Sequence, residues 1–188
     1  MRRVHTLYLI PLFMFAACGD DDPVSYSAPV GINLKAKSGD VKNGVVVDEK
    51  SITTESGNPF GAFVKEAQAR LGGADPGLVV VDQLTLSLGG KSTGVVGLEG
   101  VFSGEVAVLF VMSDTDNSFN VGTVQAPQGG GPVKISVSFD YGQMGPVDRE
   151  KFLAGSFKVV LRGSAAVAFD HAGAEADLQL TFGFSAFE

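Results

Sequence analysis

The chain contains no tryptophan, one cysteine (Cys18) and two histidines (His5 and His171) among its 188 residues. These absences remove whole classes of chemistry. A single cysteine cannot close a disulfide within the chain, and a zinc site built from several His or Cys ligands lacks its ligands. A nucleophilic triad needs a base beside Ser or Cys, and past the N-terminal segment only His171 is on offer. Basic residues are scarce too, 14 Lys and Arg against 21 Asp and Glu, for a formal net charge of −7. Phosphate binding requires a basic face, so no nucleic acid is expected as a partner, nor adhesion to anionic headgroups by charge alone. Nowhere is there the unbroken apolar run of ~20 residues that a membrane-spanning helix needs. What is present in quantity is glycine, at 25 residues, with 14 phenylalanines and many valines. That is the profile of an all-β domain with many turns.

The first residues stand apart. Residues 1–6 carry Arg2 and Arg3 and no acid, residues 4–15 are mostly apolar but broken by Pro11, and Ala16 and Ala17 follow. A basic start, a short apolar centre and small residues make up the layout of a secretory signal. With Cys18 next, the segment resembles the lipobox of bacterial lipoproteins. The resemblance covers residues 1–18 alone. It implies that the Cys18 thiol receives a diacylglycerol, that residues 1–17 are cut off, and that Cys18 becomes the N-terminus. The pattern departs at Phe15, where the family has Leu, Val or Ile. An ordinary signal that leaves a free thiol is the alternative. Each buried methylene contributes about 0.8 kcal/mol, so the several acyl chains of that family imply a durable membrane attachment, with palmitate-type chains on Cys18. Gly19 stands where enteric lipoproteins retained at the inner membrane carry Asp, which implies the outer membrane of the envelope.

Residues 18–27 are polar and acidic and include Asp20, Asp21, Asp22 and Pro23. They are expected to form a disordered tether, with the carboxylates solvated. Loss of Arg2 and Arg3 moves the formal charge from −7 to −9. Residues 28–188 suit one domain.

Within that domain alternation dominates. In "VGINLKA" Val30, Ile32, Leu34 and Ala36 share one face, with Asn33 and Lys35 on the other, which is strand period. Asn43-Gly44 marks a turn, followed by one or two strands in "VVVDEKSITT". Residues 78–88 place Leu78, Val80, Leu84, Leu86 and Leu88 on one parity. "EVAVLFVM" (105–112) is apolar on both parities and predicts a central strand covered on both faces. "FNVGTVQ" and "VKISVSFDY" are two further strands. "FKVVLRGSAAVAF" and "EADLQLTFGFSAF", joined by "DHAGA", predict a terminal hairpin with His171 in its turn. "VDREKFLAG" predicts at most one helical turn. One segment has helical period. Asn58 fits an N-cap, Pro59 the first position, and Phe60, Phe63, Val64, Ala67 and Leu71 line one face up to the stop at Gly72. The expected fold is therefore an antiparallel β-sandwich of about eight strands with one amphipathic helix (59–71) capping an end or open side. A closed barrel is the alternative.

Chemistry is sparse. Asp114, Asp116, Ser118 and Asn120 stand at positions 1, 3, 5 and 7 of a calcium loop. Position 6, where Gly belongs, is Phe119, and position 12, where a bidentate Glu belongs, is Gln125, so the motif is a weak calcium candidate. Gly90-Lys91-Ser92 lacks the fuller pattern of a phosphate-binding loop. Carboxylate pairs drawn from Glu99, Glu105, Asp140, Asp148 and Glu150 are not singled out by spacing, and residues 148–151 read as a solvated, self-compensating turn. No cofactor and no catalytic residue is expected. The expectation is a lipid-anchored envelope protein with a non-enzymatic binding or structural head. A carrier of an apolar ligand between helix and sheet is the first alternative, and a carboxylate-dependent enzyme on envelope glycans the second.

Overall fold

The computed structural model describes residues 24–53, 57–171 and 173–188. The expected leader, Cys18 and the start of the tether lie outside the described residues. The elements run β1 (Ser25–Lys37), β2 (Val45–Ile52), α1 (Pro59–Arg70), β3 (Leu78–Leu88), β4 (Phe102–Met112), β5 (Ser118–Gln125), β6 (Val133–Lys134), β7 (Ser136–Val137), α2 (Pro146–Leu153), β8 (Phe157–Ala165), α3 (Val167–His171) and β9 (Glu175–Phe187). They build two sheets, β1-β9-β3-β6 and β2-β8-β4-β5-β7, antiparallel throughout. The expected all-β sandwich is the observed fold.

Period-two burial makes the core. On β1 Val30, Ile32, Leu34 and Ala36 are buried while Gly31, Asn33 and Lys35 are exposed. Its partner β9 buries Ala176, Leu178, Leu180, Phe182, Phe184 and Ala186. The two strands pair from Ser25↔Phe187 to Lys37↔Glu175. Strand order therefore begins at Ser25, and residues 25–27, read from sequence as the end of the tether, are paired strand.

The two sheets are joined along one side at a single buried residue. Val133 and Lys134 pair with β3, Ser136 and Val137 pair with β5, and Ile135 between them is fully buried. Its N–H donates to the Leu84 carbonyl at 2.8 Å. Along the opposite side β1 and β2 are not hydrogen-bonded strand to strand; the Lys35 N–H donates to the Asp48 carboxylate at 2.5 Å instead. The sandwich is thus closed by backbone on one side and by a side chain on the other.

Helix α1 plugs the end where β1 begins and β9 finishes. The Asn58 side chain accepts from the Phe60 N–H at 2.9 Å, Pro59 occupies the first turn, and Leu71 follows as C-cap. Gly72, at φ +70°, then lets the Gly73 N–H reach back to the Gln68 carbonyl at 2.7 Å, so the orphan carbonyls find a donor. The buried stripe is the expected one, Phe60, Phe63, Val64 and Ala67.

Four sequence expectations are corrected. The described residues form three α-helices where one was expected. α2 covers residues 146–153, because Gly155 at φ +68° closes it with Ser156 N–H donating to the Lys151 carbonyl at 2.8 Å. β8 and β9 are not a hairpin. They belong to different sheets, with α3, ending at His171, as the crossing between them. The parity of residues 78–88 flips at a bulge between Val81 and Gln83, so Val79 and Val81 are buried while Leu78 is exposed. Finally, β4 is central, between β8 and β5, but covered on one face only. Val106, Val108 and Phe110 are buried, while Ala107, Leu109 and Val111 remain partly exposed on the other face.

Candidate functional site

The calcium candidate lies in the tight turn of the β4–β5 hairpin. Met112 N–H donates to the Asn117 carbonyl at 2.9 Å, which closes the turn, and Asp114 and Asp116 stand at φ +65° and +54°. Asp tolerates this left-handed region better than most residues, which accounts for both positions without a ligand. The side chains do not converge. The Asp114 carboxylate pairs with the Lys151 ammonium of α2 at 2.9 Å. The Asn120 side-chain amide, on β5, donates to the Ser138 hydroxyl at 3.0 Å, and Ser118 is exposed at the start of the same strand. Asp116 is exposed. Among the described residues no three His, Cys, Asp or Glu side chains are grouped to hold a metal ion.

The residue that organises this turn is Asp148, which the sequence reading placed in a solvated turn. It is 6 % exposed. Its two oxygens accept from the Thr115 hydroxyl at 3.0 Å and the Asn117 amide at 2.9 Å. Lys151, one turn later on α2, takes Asp114. The hairpin is stapled to α2 by two side chains on one helical face, and the residues between the calcium-like positions do the binding. Thr115 and Asn117 carry no motif, and their link to Asp148 spans more than thirty residues of sequence.

The other candidate carboxylates are dispersed. Glu99 accepts from the Gly129 N–H at 2.6 Å. Asp140 caps a short helical turn by accepting from the Gly142 N–H at 2.8 Å. Glu150 is exposed on α2. Glu105 takes the Gln125 side-chain amide at 2.7 Å on the open face of the five-stranded sheet. Beside α2, Tyr141 is buried under the Arg149 guanidinium, whose carbon lies 5.1 Å from the ring centre. Burial pushes the Tyr141 hydroxyl above its ordinary range, and Arg149 partly offsets this.

The open face of the five-stranded sheet has a chemistry of its own. Cross-strand rows place Val47, Arg162, Ala107 and Thr123 side by side, then Glu49, Val160 and Leu109, then Ser51, Lys158 and Val111. Val47 is 48 % exposed. Glu49 pairs with Lys158 at 2.6 Å. Arg162 has no ion-pair partner among the described residues. Between Arg162 and Glu105, where β4 bulges away from β8, lies an open depression of about 370 Å³ floored by Ala107 and Leu109.

No family model, curated protein or solved structure matches this chain.

Proposed function

We propose that this protein is a lipid-anchored component of the bacterial envelope, held to the outer membrane by acyl chains on Cys18, whose β-sandwich head binds or braces and does not catalyse. The observation that carries the anchor is Cys18 itself, the sole cysteine, set directly after an apolar run and Ala16-Ala17. Lipidation gives this thiol a use in an exported chain that offers it no disulfide partner.

Two features support a binding or structural head over the alternatives. The space between α1 and the sheets is filled around Phe60, and the depressions at its rim, of about 400 Å³ beside Tyr26 and Phe63 and about 210 Å³ beside Ile32 and Pro59, are open to solvent. Phe60 is 1 % exposed and its ring meets those of Phe152 and Phe157 at 5.1 Å and Phe184 at 5.5 Å. A carrier of an apolar ligand would need room there. The carboxylates weighed for glycan chemistry are spread over four separate parts of the fold. Glu99, Glu105, Asp140 and Asp148 are each engaged by a neighbouring donor of the chain. Glycoside hydrolysis needs a facing pair across an open cleft.

The test is Cys18→Ser in cells, followed by membrane fractionation and labelling with radioactive palmitate. The parent chain takes up label and sediments with membranes, and the variant loses both. A variant that is cut normally and stays on the membrane refutes the anchor.

A further inference from the structure

We infer that the outer face of the four-stranded sheet, over the half where β1 begins, rests on the bilayer that holds the anchor. The inference depends on the acylation of Cys18 proposed above and says how the head sits once it is held there. β1 begins at Ser25, directly after Val24, and Val24 lies six residues after Cys18. Six residues span at most ~22 Å. The interfacial layer on each side of the hydrocarbon takes up roughly 5–8 Å of that. A domain of this size has a radius of gyration of ~15 Å. The head therefore cannot leave the surface, and whatever surrounds Val24 meets the headgroups continually.

Apolar side chains surround it. Val24 is 44 % exposed and Leu78 41 %. In the first cross-strand row Ser25 of β1 faces Phe187 of β9, which faces Leu78 of β3; the next row is Ser27, Ser185 and Val80. Phe187 and Val80 are half-buried. With strands ~4.8 Å apart, Leu78 lies about 10 Å from Ser25. Charge is what this half of the face lacks. Residues 24–34, through most of β1, and residues 178–187 of β9 carry no charged side chain. On β3 the one charge is Asp82, whose carboxylate accepts from the Ser185 hydroxyl. Lys134 of β6, opposite Thr85, adds a cation at the flank, and Glu188 an acid at the rim. The charges of β1 and β9, Lys35, Lys37, Glu175 and Asp177, all stand at the far end.

The short reach of the tether and the missing charge together select a lipid surface as the occupant. Contact with a bilayer is costly where charges lose their water, and an uncharged apolar rim avoids that cost. The other surfaces do not. α1, at the same end, exposes Lys65, Glu66 and Arg70. The outer face of the five-stranded sheet carries Glu49, Glu105, Lys158 and Arg162 among its apolar residues. Two exposed and two half-buried apolar side chains bind a membrane weakly by themselves. The covalent anchor supplies the local concentration at which weak contact suffices.

The chain has no tryptophan, so a single introduced one reports its own surroundings. Phe187→Trp is made in the full chain, purified from cell membranes and returned to vesicles of phosphatidylethanolamine and phosphatidylglycerol, with or without bromine on their acyl chains. Gln179→Trp, also outward on β9 and ~27 Å away, is the control. Seated ~5–10 Å into the boundary of headgroups and acyl chains, the Phe187→Trp ring loses about half its emission or more to bromine. Leu78→Trp, at an exposed position, responds alike, and Gln179→Trp does not respond. Adding Leu78→Asp to Phe187→Trp abolishes the loss, while the chain still floats with the vesicles and its circular dichroism is unchanged. An acylated, floating chain in which neither Phe187→Trp nor Leu78→Trp responds to bromine overturns this inference and leaves the anchor standing. A loss equal at Gln179→Trp, or indifferent to Leu78→Asp, overturns it too. A chain whose Cys18 carries no acyl group by mass spectrometry overturns both readings.

Discussion

Replacing Phe60 by Ala tests whether α1 is part of the core or an attachment to it. The ring is 1 % exposed and has aromatic neighbours on α1 (Phe63), α2 (Phe152), β8 (Phe157) and β9 (Phe184). Removing a fully buried Phe costs about 3–5 kcal/mol, made up of lost transfer energy and the cavity left behind. Ala recovers at most ~0.5 kcal/mol through its better helix propensity. Four elements meet at this ring, so the site cannot collapse by moving one of them, and the loss belongs near the upper part of the range. A domain of this size melts about 2–4 °C lower per kcal/mol, so a loss of about 4–5 kcal/mol lowers the midpoint by roughly 8–20 °C. Urea unfolding followed by circular dichroism measures the free energy, with an unchanged slope showing that the same surface still opens. The control is Glu66→Ala on the exposed side of the same helix. Among the described residues Glu66 bonds only Arg70, at 3.1 Å. An exposed i,i+4 pair is worth ~0.3–0.5 kcal/mol, so the control stays close to the parent. A loss below ~1 kcal/mol for Phe60→Ala refutes the account, because it means that the helix leaves the sandwich at little cost.

Three further outcomes follow from the contacts. Asp148→Ala removes a buried carboxylate that accepts two hydrogen bonds and sits in the first turn of α2; a loss of about 2–3 kcal/mol is expected, with faster amide exchange in residues 113–117, and Asp148→Asn recovers part of it. Calcium at ~1 mM leaves the melting temperature unchanged, since Lys151 already occupies Asp114 and the other candidate oxygens point elsewhere. A rise of several degrees abolished by Asp114→Ala shows otherwise. Glu175 is held below the ordinary carboxylate range, first by its hydrogen bond from Lys35 and then by the charges of Lys35 and Lys37. A lowered folded-state pKa means that this contribution is complete above the unfolded value, about 4.3, and is lost as pH falls through the folded value. Lys35→Met moves the Glu175 carboxyl titration upward in NMR, and an unmoved titration refutes the assignment.

The elements that local chemistry controls were legible in the residues. Asn58, Pro59 and Gly72 bracket α1 because a cap, a fixed φ and a left-handed position are properties of single residues. Asn43 and Gly44 stand at φ +52° and +71° in a two-residue turn for the same reason. Alternation fixed the buried faces of β1 and β9, since side chains on a strand point to opposite sides in turn. The tertiary structure alone decided which strands pair. β8 and β9 are neighbours in sequence yet lie in separate sheets, because sheet membership depends on partners forty-five or more residues away. The bulge at Asp82 reverses parity where hydrophobic pattern on both faces was too similar to reveal it. Asp148 reads as one acid of a charged run until the fold closes the β4–β5 hairpin over it. The apolar second face of β4 was visible as composition, but whether something covers it is a property of the assembled sheet, which no local pattern encodes.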